Sequence, residues 1–296
     1  MHKRHMKRTK GEVVFDVLNV TLLLLFTAIC FYPIWFFLVN SISDPKAIAK
    51  GIYLIPKQLT TYNYTSLFNE VSNLFPAFKI SILRTVLGTV LTLFCCSFVA
   101  FIVSQQCLPC RKALYRFIVI SMYINAGVIP WFITMKMYHL NNNFLLYIIP
   151  SAITAFFVIL LKTYFESVPA ELQESAEMDG AGILTVYARV MLPLSKPVLA
   201  SVAVFSAVNQ WNQWYDNFML INKSTLQTVQ YLLYLYLTKA SQMTGNTAAS
   251  AAATLGSNPT SIRITITMVT MIPIIIVYPA MQKYFVKGIM LGAVKG

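Results

Sequence analysis

Acid is what this sequence has least of. Ten Asp and Glu stand against 23 Lys and Arg in 296 residues, for a net charge of +13. Charged residues of both signs reach only 11%, and 57% of the chain is hydrophobic. Soluble domains average about 25% charged residues, so an integral membrane protein follows. The basic excess then reads as Lys- and Arg-rich loops on one side of a bilayer, not as a nucleic-acid-binding face. Histidine is scarce too: His2, His5 and His139 lie in terminal or loop positions with no ligand spacing, and no metal is expected. Of the five cysteines, Cys30, Cys95 and Cys96 fall in apolar runs and Cys107 and Cys110 in a short loop. None lies in a segment expected outside the cell, which excludes a disulfide framework. The Cys107-Leu-Pro-Cys110 pair has neither a second ligand pair nor a βαβ context, so a zinc or redox reading is set aside. There is no Gly-x-x-x-x-Gly-Lys-Ser/Thr phosphate loop, no His-Glu-x-x-His and no Gly-x-Ser-x-Gly. Neither nucleotide hydrolysis nor a cofactor is expected, and uphill work would need a partner or an ion gradient.

What the chain does have is long apolar runs. Six are long enough to cross a bilayer, at about 13–39, 80–104, 114–135, 144–165, 198–221 and 262–285. The basic start before the first run is not read as a secretory signal, because the run is too long and lacks a small-residue cleavage site. Near the outer end of the second run, Lys79 and Arg84 are expected to snorkel toward water. Six crossings leave both termini on one side. Basic residues crowd the short segments at 1–10 and 105–112, whereas those of the opposite side are spread over two long loops, 40–78 and 222–261. The positive-inside rule therefore makes the termini cytoplasmic. In the second long loop, 226–237 reads as an interfacial helix and the Ala/Ser/Thr-rich half that follows as flexible. Asn-x-Ser/Thr triplets at Asn19, Asn63 and Asn222 are read as chance.

Half of the acid is concentrated in one place. Glu166, Glu171, Glu174, Glu177 and Asp179 surround the start of an elbow, 168–197, between the fourth and fifth runs. Ser167 is expected to cap a helix with Pro169 just inside it. Gly180 and Gly182 would stop that helix. Ile183 to Met191 reads as a second short helix that Pro193 ends. An elbow this long is more than a connector, and a docking device fits it.

The fifth run is interrupted by polar residues, Asn209-Gln-Trp-Asn-Gln-Trp-Tyr-Asp216. At helical spacing Asn209, Asn212, Gln213 and Asp216 share one face, and Trp211, Trp214, Tyr215 and Phe218 share the other. Amides in a bilayer line a wet cavity or bond across helices. Amides and rings also suit sugars, and both readings stay open beside an interfacial aromatic belt.

Glu174-Ser175-Ala176, Asp179-Gly180 and Leu192-Pro193 resemble the EAA loop of binding-protein-dependent ABC transporter permeases, with Ser175 where the family has Ala. Gly127-Val-Ile-Pro130, Trp211-Asn212 with Trp214, and the stretches from Tyr278-Pro279 to Gly296 resemble further signatures of the sugar-importer branch, on the side of MalG-like subunits. In this family a Pro-Gly-Arg-Lys turn is common where Pro109-Cys110-Arg111-Lys112 stands. The resemblance runs from about the third span to the last residue.

It implies an all-α, polytopic permease domain with six transmembrane helices and a cytoplasmic coupling-helix loop. ATPase-coupling residues would be Glu174, Ser175, Ala176, Asp179, Gly180, Leu192 and Pro193. Pathway residues would be Asn209, Trp211, Asn212, Gln213 and Asp216. The implied partners are a second, non-identical permease, two ATPase subunits and an extracellular solute-binding protein carrying an oligosaccharide, in the plasma membrane of a Gram-positive bacterium. An importer of amino acids, polyamines or phosphate shares the elbow, although an ammonium ligand would need more buried acid than Asp216. An ion-driven transporter would carry acids along several spans.

Overall fold

The computed structural model describes residues 9–50, 54–242 and 259–293. Every regular element among them is helical, in keeping with the all-α expectation. The chain divides into two compact units, 1–70 with 237–269, and 71–236 with 270–296.

In the first unit, α1 (Lys10–Ser41) opens with a capping box. The Thr9 hydroxyl accepts from the Glu12 amide at 3.3 Å, and the Glu12 carboxylate accepts from the Thr9 amide at 2.8 Å, which satisfies two N–H groups that a helix start leaves unpaired. Only the last turn of α1 is buried, at Val39, Asn40 and Ser41. After the short α2 (Pro45–Lys50), Asn63 of α3 (Tyr62–Glu70) fixes that turn. Its amide donates to the carbonyls of Ser41 at 2.8 Å and Ser43 at 2.7 Å, and its oxygen accepts from Ser261. The apolar side chains from Val13 to Tyr32 stay exposed, as a lipid-facing helix requires.

The second unit is built on α4 (Leu74–Ser104). Its buried residues, Ala77, Ser81, Arg84, Gly88, Thr92, Cys96 and Ala100 among them, recur every three or four positions. Most are small, which lets neighbouring helices approach closely without an aqueous driving force. Against α4 pack α7 (Ala155–Phe165) and α10 (Lys196–Asn212). Cys96, Ala100, Phe101, Phe157, Leu161, Tyr187, Met191 and Val202 share one apolar core.

Three expected spans are not single helices. The third is split into α5 (Arg111–Tyr123) and α6 (Val128–Met137), bent by 116°. The Asn125 side chain accepts from the Gly127 amide at 2.9 Å, and Gly127 sits at φ +85, a turn that glycine adopts at little cost. The fourth is a 3-10 turn at Phe144–Tyr147, an irregular stretch at 148–154 containing Pro150, and then α7, only 11 residues long. In the fifth, α10 stops at Asn212, Gln213 and Trp214 leave the helix, and α11 (Tyr215–Leu220) resumes it. Continuing from there, α12 (Val229–Gln242) covers most of the expected interfacial helix. The last helix, α13 (Pro259–Ala293), spans the sixth run. Among the described residues, α1, α4 and Thr260–Pro279 of α13 are each long and apolar enough to cross a bilayer alone. The Ala/Ser-rich stretch at 243–258, the start of the basic tail at 1–8 and the terminal 294–296 lie outside the described residues.

The elbow departs from expectation in its caps. Its first helix, α8 (Glu171–Met178), has Ala170 at the N-cap, while the Ser167 hydroxyl bonds back to the Tyr164 carbonyl at 2.6 Å. The helix starts three residues later than the Ser167 cap requires, with the Gln173 and Glu174 amides bonding the Ala170 carbonyl. Gly180, at φ +80, ends α8. Its amide bonds the Glu177 carbonyl and the Ala181 amide bonds the Ala176 carbonyl, both at 2.9 Å, the Schellman pattern. Gly182 starts the next helix instead of stopping this one. That helix, α9 (Ile183–Leu194), runs through Pro193. Residues Val186–Met191 are π-helical, and the wider turn leaves room for the proline ring. The stop falls at Ser195, where the chain turns by 81° into α10.

Candidate functional site

The three breaks meet at one cavity of about 620 Å³. Asn125 and Gly127 reach it from the first break, Pro150, Ser151 and Thr154 from the second, and Gln213 from the third. Irregular backbone within a bilayer survives only where protein covers it or water reaches it, and here it borders a cavity that Asn, Gln and Ser side chains help to line. The irregular stretch of the second break is held by α4. Thr92 Oγ1 donates to the Ser151 carbonyl at 3.0 Å, and Cys96 Sγ accepts from the Thr154 amide at 3.3 Å. Cys96, read from sequence only as an apolar-run residue, is therefore part of the scaffold of the site.

Asn209, Asn212, Gln213 and Asp216 all line the cavity. They share it although the helix breaks between them. Asn209, Asn212 and Gln213 are exposed, and Asn212 Oδ1 accepts from Gln230 Nε2 at 3.1 Å. Trp211 is different. It is buried, its Nε1 donates to the Thr270 carbonyl at 3.2 Å, and its ring lies 6.3 Å from that of Phe78. It is not among the residues that line the cavity, unlike the four polar residues with which it was grouped. Nor does it share a face with the other aromatics. Trp214, across the break, stacks on Tyr234 with ring centroids 4.1 Å apart, and Phe218 joins them edge-on.

Arg84 is a correction. It does not snorkel; it is 3% exposed. Its guanidinium grips Asp216 in a bidentate pair at 3.1 and 2.6 Å, geometry that suits a buried carboxylate. Its Nε donates to Gln210 Oε1 at 2.9 Å, and its face lies 4.6 Å from the centre of the Tyr147 ring. The two charged groups lining the cavity thus neutralise each other. Gln210 and Arg84 were missed as site residues. Gln210 lies on neither face of the helical reading, and the partners of Arg84 are 126 to 132 positions away.

At the elbow, Glu174, Ser175, Asp179, Gly180 and Pro193 are exposed, while Ala176 and Leu192 pack partly into the apolar core. Tyr187 enters that core from α9. Its ring centroid stands 5.1 Å from that of Phe101, and its hydroxyl shares a 2.7 Å hydrogen bond with Ser97 of α4. Burial raises the Tyr187 phenol above its ordinary pKa, so the hydroxyl stays protonated and able to donate. Leu172, Met178, Ile183 and Leu184 are exposed, Met178 at 88%. Cys110 takes a left-handed conformation, φ 59, directly before α5, the backbone for which glycine is suited. Among the described residues no group of three or more His, Cys, Asp or Glu is placed to hold a metal.

An all-helical membrane chain whose broken helices converge on a polar cavity has the build of a multi-pass transport protein. The chain belongs to the family of binding-protein-dependent transport system inner membrane components, whose profile matches residues 108–291. It is 32% identical over 286 residues to the polygalacturonan/rhamnogalacturonan transport system permease protein YtcP of Bacillus subtilis, covering 96% of this chain and 99% of that one. The arabinooligosaccharides transport system permease protein AraQ of the same organism is 26% identical over 290 residues, covering 95% and 98%. Among solved structures, the chain resembles one from a bacterial ABC transporter involved in the import of the acidic polysaccharide alginate. There the TM-score is 0.85 and the identity 29%, over 95% of this chain and 99% of that one.

Proposed function

We propose that this chain is one permease subunit of an ABC importer for oligosaccharides. It would form half of the pathway and couple to separate ATPase subunits through 168–197. The observation that carries the reading is the cavity itself. Asn209, Asn212 and Gln213 are exposed on its wall, and its charged pair is internally neutralised. Amides match sugar hydroxyls, and Asp216, already committed to Arg84, offers no free anion to a polyamine or a coupling cation. The names of the relatives support the same cargo class.

The elbow is the ATPase contact in this reading. Leu172, Met178, Ile183 and Leu184 are large apolar side chains exposed within the most acidic part of the chain, and exposed apolar surface of this kind suits a protein contact. Glu174, Ser175, Asp179, Gly180 and Pro193 would face the ATPase, and Ala176 and Leu192 would seat the elbow on the spans. Both termini and the elbow are cytoplasmic, a second, non-identical permease completes the pathway, and an external binding protein delivers cargo. The test is uptake into vesicles holding the reconstituted complex with ATP inside. Oligosaccharides should accumulate, and amino acids, polyamines and phosphate should not. ATP-dependent accumulation of one of those three instead would overturn the cargo, and uptake driven by an ion gradient alone would overturn the class.

A further inference from the structure

We infer that Arg84 is a positioning residue whose guanidinium spans the break in the fifth span and holds it in register with the cavity. The observation is that one side chain bonds both sides of that break. Before it, Arg84 Nε donates to Gln210 Oε1 at 2.9 Å, in the last turn of α10. At the break, Nη1 donates to the Gln213 carbonyl at 3.0 Å, at a helix end where carbonyls lose their intrahelical partners. Beyond it, Nη1 and Nη2 donate to the Asp216 carboxylate in the first turn of α11. Asp216 Oδ1 also accepts from the Asn217 amide at 2.8 Å, which fixes the carboxylate to the start of that helix. Four bonds leave three nitrogens of a rigid fork, a pattern that the single nitrogen of lysine cannot reproduce.

A second device holds the near side of the clamp. Gly88 lies one turn from Arg84 on α4. A Cβ at Gly88 would stand 2.6 Å from Gln210 Nε2 and 2.7 Å from its Cδ. Glycine thus leaves a notch through which Gln210 crosses α4. There it accepts from Arg84 and donates through Nε2 to Ser151 Oγ at 2.6 Å, at the neighbouring break. With this clamp in place, Asn209 and Gln213 face the cavity from either side of the end of α10. Without it, α11 is free to swing and the amides lose a fixed relation to one another. Arg84 and Gly88 therefore act through the residues they hold.

The inference rests on the transporter reading only for the identity of the complex, and its test needs no cargo. The assembled transporter is placed in lipid nanodiscs, and amide hydrogen exchange is followed in peptides spanning 208–222. Arg84→Lys keeps a charge against Asp216 but loses the fork, and exchange there should rise about tenfold, with peptides of α1 and α7 unchanged. Gly88→Ala displaces Gln210 alone and should give a smaller rise, roughly two- to fivefold. The double variant Arg84→Met with Asp216→Leu removes both charges and keeps the volume apolar, so complexes should form and the break should still exchange fast. A double variant with the parental exchange rate would show that the guanidinium does not hold the break. A rise spread evenly over all peptides, or loss of assembly in all three variants, would make the network an assembly element and overturn the positioning role.

Discussion

The two ends of α4 solve opposite problems. Near its C-terminal end, Ser97, Phe98 and Phe101 receive Tyr187 of the elbow in an apolar interlock. Most polar side chains of the elbow are exposed, and the turn that ends α8 is a glycine with open space around it. Toward its N-terminal end, Arg84, Gly88 and Thr92 meet irregular backbone, and the contacts are ionic or hydrogen-bonded. Apolar packing tolerates a small slide, whereas a bidentate ion pair is directional. In the coupling scheme proposed above, the elbow end would take up a push and the cavity end would keep its geometry while it happens. Ser97 and Arg84 lie on one helix, roughly 20 Å apart at 1.5 Å per residue.

The contrast breaks most severely at Gly180. Val there must adopt φ +80, at a cost of about 1–3 kcal/mol, and its side chain would protrude from the docking face. Gly180→Val should insert in the membrane normally and reduce uptake to background; uptake at the parental rate would remove the elbow from the coupling scheme. Next comes the cavity wall. Asn212→Ala and Gln213→Ala should each lower uptake about three- to tenfold, in line with the loss of one or two hydrogen bonds to cargo, with complex yield and basal ATPase unchanged. Failure to assemble would instead identify these amides as helix-to-helix contacts.

Tyr187→Phe sharpens the comparison from the other side. It keeps the ring against Phe101 and deletes the bond to Ser97, worth about 1 kcal/mol. If apolar packing is what transmits the push, uptake should stay within about twofold of the parent; a collapse of uptake would make the elbow end as directional as the cavity. The smallest effect belongs to the turn before α5. Cys110→Gly with Cys107→Ser should leave uptake unchanged and raise stability by up to about 1 kcal/mol, since glycine adopts the left-handed backbone without the penalty cysteine carries. Loss of transport in that variant would revive a redox or metal role for the pair.

How much of this could be read from sequence follows the same division. The elbow was legible because its signals are local: acid, small residues and glycine at fixed spacing, with Gly180 at the turn where it was expected. The long helices α1, α4 and α13 were legible because hydropathy reports transfer into lipid directly. The breaks were not, since Ile148 to Thr154 is as apolar as the helices around it and only Pro150 hints at the irregular backbone. The helical wheel put Trp211 on the face opposite Asn209 and Asn212, and only the family resemblance placed it with them; in the structure it lies outside the cavity lining. Arg84 was misread because a lone basic residue in a span is ordinarily a snorkelling one, and nothing near it in sequence names Asp216.

The separation of that pair bears on how the protein is made. Arg84 precedes Asp216 by 132 residues. At about 5–20 residues per second, the ribosome adds the carboxylate roughly 7–26 seconds after the arginine. During that interval the Arg84 cation has no carboxylate to meet, and near the end of its span it can reach toward the interface instead. The helix itself has an 18-residue window of mean hydropathy 2.5, the highest of the three long spans. The Arg84–Asp216 pair can therefore close only after the fifth span has been made, so the cavity end of α4 takes its final form later than the helix itself.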